Sequence, residues 1–129
     1  MSNILIVDDE PNILLSLEFL MQQHGYQTAT AQNGDEALAL AGSFAPDLVL
    51  LDVMLPQRNG IEVCRMLRAG PLGGRVKIIL LTARGRAADI ENGQRAGADA
   101  YITKPFSTKD LLAQVRAQLG DQQGGRLLV

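Results

Sequence analysis

The segment from Asp47 to Asp52, which reads DLVLLD, constrains the fold of this chain more than any other segment. A short continuous apolar run is typical of a strand that is covered on both faces, as in a parallel sheet. A carboxylate closes the run, and ligands of open α/β sheets bind just outside the carboxyl ends of the strands. We therefore predict that Asp52 projects from the end of a buried parallel strand.

Predicted strands and helices alternate five times along the chain. Besides the Asp52 strand, the apolar runs predict strands at Ile4–Val7, Tyr26–Thr30, Val76–Leu81 and Asp99–Ile102. This alternation indicates the α/β class, with a doubly wound five-stranded parallel sheet and helices on both faces. The predicted helix from Ala87 to Ala96 has the weakest apolar face, so we expect it to be the least firmly anchored element.

The composition fits one globular domain. The chain has 129 residues, 47% of them hydrophobic, and a net charge of −2, which argues against nucleic acid or membrane binding by this domain. The start of the chain lacks the features of a signal peptide, and no apolar stretch approaches the ~20 residues that cross a bilayer. We expect a cytoplasmic protein with a folded domain at 1–119 and a glycine-rich flexible tail, or the start of a linker, at 120–129.

Polar residues follow the predicted strands. Asp8 and Asp9 come after the first strand, Asp52 ends the third, Thr82 follows the fourth and Lys104 follows the fifth. In a parallel sheet these positions share one edge, so three carboxylates would crowd together. Two such charges ~4 Å apart repel by about 4 kcal/mol at an effective dielectric near ~20. All-oxygen ligands of this kind suit Mg²⁺.

This set of groups predicts phosphoryl transfer. Asp52 can attack phosphorus and form an aspartyl phosphate. The metal and Lys104 would offset charge on the phosphoryl oxygens, and the Thr82 hydroxyl would donate a hydrogen bond to one of them. Taken singly, an acid after a strand is often a helix cap, a threonine is a common turn residue and a lysine is usually solvated. Their meeting at one edge favours the functional interpretation.

Four segments together resemble the receiver domain of bacterial two-component response regulators. They are Ile4–Glu10 (ILIVDDE), Pro46–Pro56 (PDLVLLDVMLP), Leu81–Ala83 (LTA) and Tyr101–Phe106 (YITKPF). The resemblance covers the chain from about Ser2 to Leu119 and implies the flavodoxin-like strand order 2-1-3-4-5.

The resemblance also implies a chemical role for the acids. Asp52 would take a phosphoryl group from a phosphohistidine on a sensor histidine kinase or a histidine phosphotransfer protein. Asp9, Asp52 and the Met54 carbonyl would hold Mg²⁺, with Asp8 supporting the ion through water. The domain would be a regulatory phosphoacceptor and not an enzyme, although it would catalyse its own phosphorylation and dephosphorylation.

A conformational switch is implied as well. Thr82 and Lys104 would grip the phosphoryl group, and the bond from Lys104 to Pro105 would be cis. Tyr101 would turn inward as Thr82 moves toward the phosphate. The change would bias the fourth helix, fifth strand and last helix between two arrangements.

The Tyr101–Phe106 segment looks most like the receivers of winged-helix transcription factors, which pair through that same face. Asp99, Asp110 and Arg116 match charged positions of the face. Ala100 and Gln114 stand where an acid and a base would be usual. We expect a homodimer that forms on phosphorylation.

Three other functions are compatible with parts of the pattern. A Mg²⁺-dependent phosphohydrolase with an aspartyl nucleophile typically has a second acid two residues later, where this chain has Met54. A flavin-binding protein of similar fold would need an anion loop after a strand. A receiver-like module that binds partners without phosphorylation would not need the acids, Thr82 and Lys104 together.

Overall fold

A computed structural model describes residues 2–83 and 87–120 of the chain. These residues form five strands that alternate with five helices. The elements are β1 (Asn3–Val7), α1 (Pro11–Gln23), β2 (Gln27–Ala31), α2 (Gly34–Phe44), β3 (Leu48–Asp52), α3 (Gly60–Ala69), β4 (Lys77–Ala83), α4 (Ala87–Ala96), β5 (Ala100–Lys104) and α5 (Thr108–Leu119). The predicted tail lies almost wholly outside the described residues.

The five strands form a parallel sheet in the order β2-β1-β3-β4-β5. The predicted fold class and strand order are therefore confirmed. In this sheet β3 is central, and all five residues of β3 are buried. Its position explains why the Asp47–Asp52 segment carries an unbroken apolar run, since neither face of β3 meets water.

Two apolar cores lie on opposite faces of the sheet. Val49 and Leu51 of β3 point into the core beneath α2 and α3, while Leu48 and Leu50 point into the core beneath α1 and α5. Alternate residues of a strand face opposite sides, so one strand serves both cores. The predicted helices on both faces are thus confirmed.

Side-chain caps set the start of several helices. Asn33 accepts a hydrogen bond from the Glu36 amide at 2.8 Å, and Ser107 accepts one from the Asp110 amide at 3.0 Å. Such caps satisfy amides that have no partner within the helix. In α1, Pro11 occupies the first turn, where its missing N–H costs nothing.

The structure corrects the bounds of four predicted strands. β1 begins one residue earlier, at Asn3, and β4 runs over Lys77–Ala83, so Thr82 lies within the strand and does not follow it. β2 runs over Gln27–Ala31, because Tyr26 instead packs into the core beneath α1. β5 runs over Ala100–Lys104, so Asp99 precedes the strand and Lys104 is its last residue. In the described part of the chain, no helix has both the length and the apolar character needed to cross a bilayer.

The bounds of α4 match the prediction, but the helix packs through a glycine, Gly93, which the apolar pattern did not include. Its buried residues are Asp89, Gly93 and Ala96, and the predicted Ile90 is only partly buried. A Cβ placed on Gly93 would lie 2.2 Å from a methyl carbon of Leu80. The helix therefore approaches β4 through a residue without a side chain, which agrees with the weak apolar face seen in the sequence.

Candidate functional site

The carboxyl edge of the sheet gathers the polar residues that the strands deliver. Asp8 directly follows β1, Asp52 ends β3 and Lys104 ends β5. Thr82 is next to last in β4, and the pairing of Ala83 with Lys104 brings the ends of β4 and β5 level. Parallel pairing therefore places four predicted site residues at one edge.

The Lys104 ammonium lies between two buried carboxylates. Its Nζ is 2.8 Å from Oδ2 of Asp8 and 3.4 Å from Oδ2 of Asp52. Asp8 is fully buried and Asp52 is 4% exposed. Residues from opposite ends of the chain thus share one small charged cluster, and the ammonium neutralises only part of it.

Burial raises the pKa of the Asp52 carboxyl above its ordinary value, and the charge of Asp8 raises it further. The charge of Lys104 and the Met54 amide act in the other direction without cancelling this effect. Burial alone would lower the pKa of Lys104, but its hydrogen bond to Asp8 and the charge of Asp52 raise it overall. Lys104 therefore stays charged, while Asp52 as an anion favours a further cation.

Three acids at the start of α1 fit a divalent ion. Asp8, Asp9 and Glu10 each offer a carboxylate oxygen, and these oxygens lie within 4.8 Å of one another. Asp9 and Glu10 are exposed, whereas Asp8 is held in place by the Glu10 amide, which donates to its Oδ1 at 3.0 Å. A hard all-oxygen donor set suits Mg²⁺, which keeps several of its waters.

Glu10 is a member of this group that the predicted site, with Asp8 and Asp9, does not contain. In the structure Glu10 is the residue before α1, and its side chain makes no cap hydrogen bond. Its position directly after two aspartates is the sequence signal that could have identified it.

The loop after β3 supports Asp52 from behind. The Met54 amide donates to Oδ1 of Asp52 at 3.1 Å. Gly60 begins α3 directly against the Asp52 backbone, and its amide donates to the Val53 carbonyl at 2.9 Å. Asn59 caps α3 by accepting from the Ile61 amide at 2.7 Å. The Met54 bond orients the Asp52 carboxylate, and the other two bonds fix the start of α3 beside it.

Thr82 and Tyr101 lie on adjacent strands but in different surroundings. Thr82 is 1% exposed, and its hydroxyl donates to the Ala83 carbonyl at 3.1 Å. Tyr101 is 43% exposed and borders a groove of about 440 Å³ between α4 and α5. The bond from Lys104 to Pro105 is cis, as the resemblance implied.

The three predicted interface residues take no part in the ion pairs that join Lys104 to Asp8 and Asp52. Asp99 accepts hydrogen bonds from Arg68 and from a backbone amide within the same chain. Arg116 lies 3.2 Å from Nδ1 of His24, and Asp110 is exposed in the first turn of α5. Their part in pairing stays a prediction.

Comparison with known proteins gives a consistent result. Residues 4–116 match the family described as response regulator receiver domain. The chain is 46% identical over 116 residues to the DNA-binding response regulator MtrA of Mycolicibacterium smegmatis, an alignment that covers 90% of the chain and 50% of that relative. The chain therefore spans about half the length of this curated relative.

Two solved structures share the fold. A CheY-like response regulator receiver domain protein from Methanospirillum hungatei JF-1 is 32% identical with a TM-score of 0.86, covering 97% of this chain and 98% of the other. The receiver domain of the sensor histidine kinase PA1611 from Pseudomonas aeruginosa PAO1 is 33% identical with a TM-score of 0.84, covering 92% and 98%. The latter structure has a magnesium ion coordinated in its active site cleft.

Proposed function

The chain belongs to the response regulator receiver family, and on this premise we propose that Asp52 accepts a phosphoryl group from a phosphohistidine of a partner protein. The family establishes the general function, which is that of a phosphorylation-controlled switch in two-component signalling. The observation that most supports Asp52 as the acceptor is the Lys104 ammonium between Asp52 and Asp8.

The transfer step follows from the positions of these groups. One carboxylate oxygen of Asp52 attacks phosphorus, and the phosphorus–nitrogen bond breaks with its electron pair left on the imidazole nitrogen. The Met54 amide holds the other Asp52 oxygen and thereby orients the attack. Lys104 lies within reach of the transferred oxygens and offsets their charge.

The acids next to Asp52 would hold Mg²⁺. Asp9, Asp52 and the Met54 carbonyl are the proposed ligands, and Asp8 supports them. The Glu10 carboxylate lies within 4.8 Å of those of Asp8 and Asp9, and we add it as a further candidate ligand. When bound, the ion neutralises the carboxylates and the phosphoryl oxygens. The all-oxygen donor set supports this proposal, as does the magnesium ion in the Pseudomonas aeruginosa receiver domain.

The same groups account for a self-catalysed return to the resting state. Water attacks the phosphorus of the aspartyl phosphate, the bond between phosphorus and the Asp52 oxygen breaks, and inorganic phosphate leaves. Lys104 again offsets charge on the phosphoryl oxygens. The domain thus remains regulatory while it speeds both its own phosphorylation and its own dephosphorylation.

The switch starts at Thr82. To grip the phosphoryl group, the Thr82 hydroxyl gives up its bond to the Ala83 carbonyl and donates to a phosphoryl oxygen. The groove of about 440 Å³ beside Tyr101, which is also lined by Ile90, Gln94 and Gln114, provides space for the ring to turn inward. The inward turn alters the face formed by α4, β5 and α5.

This face is where we place a phosphorylation-dependent homodimer, with Asp110 and Arg116 at its rim. Receiver domains are phosphorylated by sensor histidine kinases, so the proposed donor is such a kinase or a histidine phosphotransfer protein. MtrA is a DNA-binding response regulator, and we propose that this domain serves a cytoplasmic protein of that kind without contacting nucleic acid itself.

Phosphoryl labelling tests the acceptor. Incubation with phosphoramidate and Mg²⁺ should add one phosphoryl group per chain, measured by intact mass. Asp52→Asn should abolish the adduct because it removes the nucleophilic oxygen. Asp47→Asn, at the residue just before β3, is the matched control and should label like the wild type. An adduct that persists in Asp52→Asn would refute the assignment.

Two further measurements test the switch and the pairing. Fluorine-labelled tyrosine should give two resonances, since the chain has two tyrosines. The Tyr101 resonance should shift when beryllofluoride, a phosphoryl mimic, binds with Mg²⁺, while that of the buried Tyr26 should not. Sedimentation should show a monomer without the mimic and a dimer with it; a monomer in both states would exclude the homodimer.

A further inference from the structure

The Arg68 guanidinium, near the end of α3, ties together segments that are distant in the sequence. Its Nε donates to the Gly97 carbonyl at 2.8 Å, and its Nη1 donates to the carbonyls of Gly73 at 2.8 Å and Val76 at 2.5 Å. Its Nη2 lies 2.6 Å from Oδ2 of Asp99. The side chain is only 19% exposed. All three nitrogens are thus engaged within the chain.

Asp99 is engaged a second time. The same Oδ2 accepts a hydrogen bond from the Ile78 amide at 2.8 Å, and the Asp99 amide donates to the Ile78 carbonyl at 2.8 Å. The residue before β5 is therefore bonded in both directions to the second residue of β4. These two bonds extend the hydrogen bonding between β4 and β5 by one residue before the start of β5.

The pair behaves as one unit on energetic grounds. A charged group that is largely removed from water is costly unless it is paired and hydrogen-bonded. Arg68 and Asp99 each satisfy the other, and backbone groups satisfy most of what remains. Removal of either partner would leave the other without its counter-charge.

The Arg68–Asp99 pair lies at the opposite edge of the sheet from the candidate phosphorylation site. Val76 precedes β4 and Asp99 precedes β5, so both lie at the amino edge of the sheet, opposite Asp52. Gly97 directly follows α4, and the Cys64 thiol lies 3.7 Å from the Ala96 carbonyl. Arg68 and Cys64 thus bind the carboxyl end of α4 to α3.

We propose that Arg68 is a positioning residue that fixes the corner between α4 and β5, and that Asp99 serves this corner and not an ion pair with a second copy of the chain. The proposal rests on the proposed switch and deepens it. The corner is the fixed end of α4 and β5, while the rearrangement that begins at Thr82 acts on their other ends. Tyr101 lies two residues from the fixed end, so its two positions are defined relative to Arg68.

Amide hydrogen exchange in the unphosphorylated monomer tests the corner directly. Arg68→Met and Asp99→Asn should each speed exchange of the Ile78 amide by about tenfold or more, since a hydrogen bond to a charged group is lost or weakened. The double variant should be no faster than the faster single variant, because the two residues act together. Arg95→Met, an exposed arginine of α4, is the matched control and should leave Ile78 unchanged.

Arg68→Lys covers the case in which Arg68→Met does not fold. It keeps the charge but loses the planar fork, so Ile78 exchange should lie between wild type and Arg68→Met. Unchanged Ile78 exchange in folded Arg68→Met, or additive effects in the double variant, would overturn the proposal.

The response of Tyr101 separates a positioning role from a merely structural one. Arg68→Met should label on Asp52 at the wild-type rate, yet the shift of the Tyr101 resonance on beryllofluoride binding should fall to less than about half. A full Tyr101 shift in this variant would contradict the positioning role. If Asp52 fails to label even in the wild type, the proposed function fails, while the Ile78 result still stands or falls alone.

A mutant cycle across the dimer settles the partner of Asp99. In the beryllofluoride state, the effects of Asp99→Asn and Arg116→Gln on the dimer dissociation constant should combine without coupling. If the dissociation constant of the double variant equals that of one single variant, the two residues are coupled. Asp99 would then pair with Arg116 of the second copy, and the assignment would be refuted. A monomer in every variant leaves Asp99 with no intermolecular pair, as proposed.

Discussion

Gly60 lies so close to Asp52 that a Cβ atom at Gly60 would be 2.0 Å from the Asp52 carbonyl oxygen. The obstacle is backbone at the end of a central strand, so no side-chain rotation could relieve it. The start of α3 is therefore pressed against the residue that we propose as the phosphoryl acceptor. Any side chain at Gly60 must displace either the helix or the end of β3.

Gly60→Ala should lower the free energy of unfolding by about 1–3 kcal/mol, the usual range for overpacking. It should also slow phosphoryl labelling, because the Asp52 carboxylate moves with its backbone. Urea denaturation and labelling rates measure the two effects. Gly42→Ala is the control: a Cβ there meets nothing within 4 Å, and alanine favours helix, so stability should rise by up to about 1 kcal/mol. Wild-type behaviour of Gly60→Ala would mean that the contact yields at no cost.

Lys104→Met should change metal binding and phosphorylation in opposite directions. The ammonium competes with a cation for Asp8 and Asp52, so its loss should tighten Mg²⁺ binding by roughly tenfold. Labelling should slow by about 100-fold, because the variant no longer offsets charge on the phosphoryl oxygens. Calorimetry and labelling with phosphoramidate give both values. Lys109→Met, an exposed lysine of α5, should change neither; weaker Mg²⁺ binding in Lys104→Met would contradict the competition.

Mg²⁺ should stabilise the folded domain, because the ion binds an acid cluster that is assembled only on folding. At ten times the dissociation constant the gain is about 1.4 kcal/mol, seen as a higher melting temperature. Asp9→Asn should reduce this gain, while Glu91→Gln on α4 should retain it. Removal of the metal with a chelator should stop labelling of Asp52. Labelling that continues in the chelator would mean that the site needs no divalent ion.

The thiol of Cys64 should make the domain less stable in alkali. Burial raises the pKa of this thiol to about 11 in the folded state, from about 8.5 in an unfolded chain. Between these values only the unfolded chain loses the proton, so stability falls by about 1.4 kcal/mol per pH unit. Below about pH 8.5 the thiol is protonated in both states, so its contribution to the free energy of unfolding is fully present there. Urea midpoints measured from neutral pH upward should decline more steeply in the wild type than in Cys64→Ala; parallel curves would contradict this.

Much of the fold could be predicted because it depends on local patterns. The apolar run that ends at Asp52 identifies a buried strand whatever surrounds it, and the Ser107 cap marks the start of α5. The site residues were found for a related reason. A parallel sheet brings the ends of its strands to one edge, so Asp8, Asp52 and Lys104 could be grouped without knowing any distance.

Features that depend on long-range contacts could not be predicted. Arg68 resembles any basic residue near the end of a helix until two separate loops, α3–β4 and α4–β5, bring three carbonyls to it. Asp99 matched a charged interface position in the sequence, and only the structure shows its bonds to Arg68 and Ile78. Tyrosine is a residue type that favours strands, but Tyr26 is buried beneath α1 before β2 begins.

The side chains of β3 alternate between the two cores, and this limits where residues can be inserted or deleted. Consecutive apolar residues before Asp52 enter different cores, so a one-residue deletion within the strand would send each remaining side chain into the space shaped for its neighbour. The same deletion would also move the acceptor carboxylate to the other face. Insertions and deletions should therefore be tolerated in the connections and excluded from β3, because β3 sets which side chains enter each core.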